Sequence, residues 1–168
     1  MILMIIMWVS TCTDYFLINL YLKYIPGSEY LNVTIAGIAE ILAHLSAGLI
    51  FKKSGVKVSF VTGYSFALAG GVCLMFQNKF ADNTFLVALF VLLAKFGASM
   101  CLCICQIATP WLFPTTLCGT AFGICNLFGR LMQAAAPFIV EMNGALPMTI
   151  FSGLAGIALL CSFPLKTV

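Results

Sequence analysis

Five ionisable side chains stand inside long apolar stretches of this chain: Asp14, Glu40, His44, Lys95 and Arg130. Charges at lipid depth are costly, and where they occur they pair with one another or line a path for ions or substrates. The chemistry open to this set is recognition. A guanidinium holds a carboxylate through two parallel hydrogen bonds, an imidazole can carry a proton near neutrality, and acids balance the cations. Bond-making chemistry lacks its parts. The chain has one histidine, no metal-ligand spacing, no glycine-rich phosphate loop and no nucleophile beside a base, so neither an enzyme nor a cofactor or metal is expected.

The elements that hold these residues follow from composition. The 168 residues are 62% hydrophobic and 8% charged, and the mean hydropathy is +1.12, well outside the range of soluble domains. This predicts an all-α integral membrane protein. Apolar stretches at 1–22, 31–51, 58–77, 84–107, 117–140 and 146–164 each approach the ~20 residues that cover a ~30 Å hydrocarbon core. The chain opens on bulky apolar residues without a basic flank or a cleavage signal, so its first stretch is read as a retained span.

Counted along each helix from its outer end, the five ionisable residues all fall roughly 12–20 Å deep, the middle of a bilayer. Their faces agree. Lys95, Ser99, Cys103 and Gln106 share one side of a helix, Asn126, Arg130 and Gln133 another, and Glu40 stacks with His44 at i and i+4. Polar groups gathered at one depth from several helices are what a secondary transporter's central site requires. The competing reading is structural: two acids and two strong bases sum to zero, so Asp14, Glu40, Lys95 and Arg130 also suit two buried ion pairs. A lone histidine such as His44 serves packing more often than proton carriage.

Lys52, Lys53 and Lys57 crowd one loop and Lys166 lies on the same side, whereas Lys23 and Lys79 opposite stand near Glu29 and Asp82, with Glu141 on that side too. The positive-inside rule then puts both termini in the cytoplasm. The Asn32-Val33-Thr34 sequon opens a span, too close to the membrane for easy glycosylation. The net charge of +3 is largely these flanks and implies no nucleic-acid partner. Most of the eight cysteines lie inside spans as small apolar residues, and Cys101, Cys103 and Cys105 alternate about the helix by ~200°. Gly119 and Gly123 form a GxxxG that permits close helix approach.

Several runs resemble one family. KFGAS at 95–99, TPWLFPTTLCGTAFG at 109–123 and GRLMQAAAPF at 129–138 are similar to helices ten and eleven of the organic ion transporters, the solute carriers for organic cations, organic anions and carnitine within the major facilitator superfamily. GSEYLN at 27–32 and AGIAEILA at 36–43 resemble that family's approach to helix eight, and Trp8 and Tyr15 fall where its seventh helix carries aromatics. The resemblance covers nearly the whole chain. It implies the C-terminal six-helix half, helices seven to twelve, of a transporter in the plasma membrane that works by alternating access. The position of Arg130 faces the central cavity in that family and is basic in carriers of anions or carnitine, so an anionic or zwitterionic small organic ion is implied. His44 and Arg130 would contact its carboxylate, with Trp8, Tyr15, Cys103 and Lys95 beside them and Asp14 and Glu40 as intramembrane charge partners. The partner would be the N-terminal six-helix half or a second copy.

Four charges of the family's inner gate are replaced, by Lys52, Val56, Trp111 and Cys118. Met132 and Gln133 stand at expected glycines and Leu42 at an expected proline. The resemblance therefore supports either a working carrier whose gate closes by apolar packing or a degenerate membrane protein that keeps only the fold. Retention of Arg130 and the polar stripes favours the carrier.

Overall fold

The computed structural model describes residues 1–24, 29–76, 84–141 and 146–164; the expected loop and tail charges Lys79, Asp82 and Lys166 lie outside them. The described chain is helical, with no strand: α1 (Ile2–Tyr21) continued by a 3-10 turn (Leu22–Tyr24), α2 (Glu29–Met75), α3 (Thr84–Leu112), α4 (Thr115–Gln133), the short α5 (Ala136–Val140) and α6 (Leu146–Ser162). Four of the helical segments are long and apolar enough to cross a membrane: α1 with its turn, α2, α3, and α4 run on into α5. The shorter α6 is apolar as well.

At 47 residues, α2 would reach ~70 Å if straight, more than twice a hydrocarbon core. Gly55 breaks it, with φ 76 and ψ −179, a conformation open to glycine because it has no Cβ. The result is two arms, 29–54 and 56–75. Where a loop over Lys52 to Lys57 was expected, the chain turns at a single residue. The stretch read as one span over 117–140 is also divided. Pro137 cannot donate to the carbonyl four residues back and crowds it. Helix α4 therefore closes at Gln133 with a tight turn, Ala135 N to Met132 O at 3.0 Å, and α5 follows.

Small residues set the closest approach. A Cβ at Gly70 would overlap the backbone of Ala94, and one at Gly97 the backbone of Ala67, so the second arm of α2 packs on α3 almost backbone to backbone. On the other side of the bundle, a Cβ at Gly129 would come within 2.9 Å of Cys12 Sγ, so α4 lies directly against α1. Gly119 and Gly123, by contrast, have no neighbour within 4 Å of an added Cβ; the GxxxG of α4 packs on nothing among the described residues.

Two apolar clusters fill the interior. One, around Trp8, Phe60, Tyr64, Met100 and Ile104, occupies the end of the Gly55 bend. The other, around Leu17, Ile18, Leu74, Val87 and Phe151, occupies the opposite end. Between them lies a polar layer that includes Thr13, Asp14, Lys95 and Ser99, all buried.

Candidate functional site

Lys95 on α3 is almost completely buried, at 1% exposure. Its ammonium donates to Asn19 Oδ1 at 2.6 Å, lies 3.4 Å from Glu40 Oε2 and stands 3.8 Å above the centroid of the Tyr15 ring. Tyr15 in turn donates its hydroxyl to Glu40 Oε1 at 2.6 Å. His44, one turn along α2, places Nε2 3.7 Å from the same oxygen. Three helices thus close a charged knot in which the cation has a carboxylate, an amide oxygen and a π face. This is the geometry that makes a buried ion pair tolerable.

Arg130 is arranged differently. It lies near the end of α4, exposed, and its guanidinium reaches only along its own helix: Nε to Asn126 Oδ1 at 3.4 Å and Nη1 to Gln133 Oε1 at 3.2 Å. Both bonds are long, and the group has five donors to offer. It borders a cavity of about 300 Å³ walled by Trp8, Cys12, Tyr15 and Phe16 of α1, Leu102 and Gln106 of α3, and Phe122, Asn126 and Gln133 of α4. No acid is among these walls. Trp8 is fixed from both sides, its Nε1–H donated to Thr109 Oγ1 at 3.0 Å and its ring edge-on to Phe122 at 5.2 Å. The cavity offers an unneutralised, planar cation among aromatic faces and amides, which suits a small organic ion bearing a carboxylate.

Of the side chains singled out from sequence, the structure brings Trp8, Tyr15 and Arg130 to this cavity. Lys95, Glu40 and His44 form the adjoining knot, and Tyr15 belongs to both. Cys103 is half-buried and is not among the cavity's walls. Asp14 is 1% exposed, and neither carboxylate oxygen has a hydrogen-bond partner. No cation stands on it among the described residues, so it balances neither Lys95 nor Arg130. The two ion pairs conceived from charge count reduce to one, because α1 turns Asp14 into the bundle and leaves Tyr15 toward the other two helices. The sequence reading passed over Cys12, Phe16, Leu102 and Phe122. Trp8, Cys12 and Tyr15–Phe16 recur at i, i+4 and i+7 to i+8, a stripe that could have been read from α1 alone.

Helices of membrane length around a solute-sized polar cavity define an all-α integral membrane protein. No protein-family model matches the chain. It is similar to solute carrier family 22 member 4 of Mus musculus, 28% identical over 156 residues, covering 91% of this chain and 28% of that protein. It is also similar to the Homo sapiens organic cation/carnitine transporter 2, 24% identical across 84% of this chain and 25% of that protein. Solute carrier family 22 member 15 of Xenopus tropicalis is 30% identical across 92% of this chain and 31% of its own length. The chain belongs to this organic ion transporter family of solute carriers, and it spans about a quarter to a third of the length of these relatives.

Proposed function

We propose that this chain is the C-terminal six-helix half, helices seven to twelve, of a secondary transporter for small organic ions, and that its cavity binds the carboxylate of an anionic or zwitterionic substrate at Arg130. The observation that carries this is the guanidinium itself, held only by neutral amides at the edge of a cavity with no acid in its walls. One of the relatives is by name a transporter of organic cations and carnitine. A zwitterion of that kind joins a carboxylate to a quaternary ammonium, and here Arg130 suits the first while the faces of Trp8, Tyr15 and Phe122 suit the second. Alternating access needs a second six-helix unit to rock against, supplied by an N-terminal half or another copy. By the positive-inside rule the lysines at the Gly55 bend support a cytoplasmic side for that end and for both termini, and a plasma-membrane location is part of the same proposal.

The test is Arg130→Ala in the transporter assembled with its partner half. The expected result is that affinity for carboxylate-bearing substrates falls about thirty-fold or more, while surface expression and uptake of any purely cationic substrate are kept. A loss of expression equal to the loss of uptake would mean that Arg130 holds the bundle together, and the reading would fail.

A further inference from the structure

A second cavity lies at the bend of α2 and shares no wall residue with the one at Arg130. It has a volume of about 490 Å³ and is walled by Phe51, Lys52, Lys53, Gly55, Val56 and Trp111, with Ser54 at its edge. Lys52 and Lys53 are exposed and have no ion pair or hydrogen bond among the described residues. The described acids are elsewhere along the chain: Asp14 and Glu40 lie in the middle of their helices, Glu29 begins α2 at the end away from the bend, and Glu141 follows α5. Trp111, 64% exposed, closes the cavity edge-on to Phe51 with ring centroids 6.3 Å apart. An indole and two ammonium groups at a helix end are the composition of a membrane–water boundary that faces anionic lipid. On the first arm of α2, Ile38, Leu42, Leu45 and Leu49 are exposed and recur at i, i+4, i+7 and i+11. They make an apolar track that leads from the membrane interior to the two lysines.

We propose that this cavity holds the phosphorylated headgroup of an anionic membrane lipid, such as a phosphatidylinositol phosphate, with Lys52 and Lys53 on the phosphates, Trp111 over the ring and an acyl chain along the Leu45–Leu49 track. Charge complementarity selects the headgroup. A phosphate monoester carries more charge than a phosphodiester and so draws two ammonium groups more strongly. The apolar track selects a lipid over a soluble phosphate. The site is separate from the Arg130 cavity and draws on the substrate reading only for which leaflet the bend faces.

The transporter assembled with its partner half and reconstituted in nanodiscs tests this without regard to leaflet, because both faces of a disc share one composition. Native mass spectrometry would compare discs of phosphatidylcholine alone, with phosphatidylserine, and with phosphatidylinositol bisphosphate, and soluble inositol trisphosphate would be offered to the first. The expected result is selective retention of the bisphosphate lipid, weakened about thirty-fold by Lys52→Gln with Lys53→Gln and several-fold by Trp111→Ala. Equal retention of all three lipids, or indifference to the lysine changes, would overturn the proposal. Binding of the soluble trisphosphate as tight as that of the lipid would overturn the lipid assignment and leave a phosphate site fed from solution. Cross-linking of Ser54→Cys to a second copy in every lipid would make the cavity a protein interface and overturn it too. Thiol labelling of Ser54→Cys from either side of intact cells reads the leaflet separately.

Discussion

The knot around Lys95 and the cavity at Arg130 share a wall, Tyr15, yet one cation is enclosed and the other open. Lys95 has a carboxylate, an amide oxygen and an aromatic face within 3.8 Å, and almost no surface. Arg130 has two long bonds to neutral neighbours on its own helix and open space in front of it. A cation that has been neutralised and enclosed serves the fold. A cation left unneutralised at a cavity is available to a ligand, and that contrast, more than the presence of charge in the membrane, separates structure from function here.

The sharpest way to break the contrast is to exchange the two effects. Lys95→Met removes the buried cation and leaves the partly exposed Glu40 without its counter-charge, which should cost roughly 1–3 kcal/mol and read as a fall in folded yield and thermal midpoint in detergent. Adding Glu40→Gln should recover most of that loss, since removing both members of a buried pair is often close to neutral. Arg130→Ala should show the reverse profile, with a midpoint little changed and substrate affinity lost. If Lys95→Met kept its midpoint and lost only uptake, Lys95 would belong with the ligand site and the division would fall.

The division was half legible in the sequence. The Asn126–Arg130–Gln133 stripe is local, fixed by helical periodicity, and both side-chain hydrogen bonds of Arg130 run along it. The Lys95–Glu40–Tyr15 knot is not local. It depends on how α1, α2 and α3 are rotated against one another, and for α1 the sequence leaves rotation open because Ser10 through Asp14 are all buried in succession, with no polar side turned outward. That is also why Asp14 looked like a partner for a cation. That the described chain is built of apolar helices, four of them long enough to cross a membrane, was legible from hydropathy. The turn at Gly55 was hidden behind the hydrophilic run KKSG, which reads as a loop although its lysines sit on the end of a helix.

Tyr15 sharpens the comparison because it serves both regions. Tyr15→Phe keeps the ring under Lys95 and against the cavity but removes the 2.6 Å bond to Glu40. A hydrogen bond to a charged group carries ~1.5–3 kcal/mol in soluble proteins, less among membrane helices, where the average is ~0.6 kcal/mol. A midpoint loss of a few degrees with substrate affinity within about two-fold of wild type would keep the hydroxyl in the knot. A larger change in affinity than in stability would move it to the cavity side.

The smallest effect, and the one of opposite sign, concerns Asp14. Both oxygens are buried without a hydrogen bond, and Ser99 Oγ on α3 is likewise unsatisfied, so this part of the polar layer has the cost of burial without the partners that offset it around Lys95. Asp14→Asn keeps the shape and removes the ionisable group, so that less is lost by burying it without partners. The thermal midpoint should therefore rise slightly, by the equivalent of about 1 kcal/mol or less, with substrate affinity unchanged. A fall in the midpoint would mean that the carboxyl has a partner that the closed bundle does not show, and the polar layer would then hold a second functional group on the far side of α1 from Arg130.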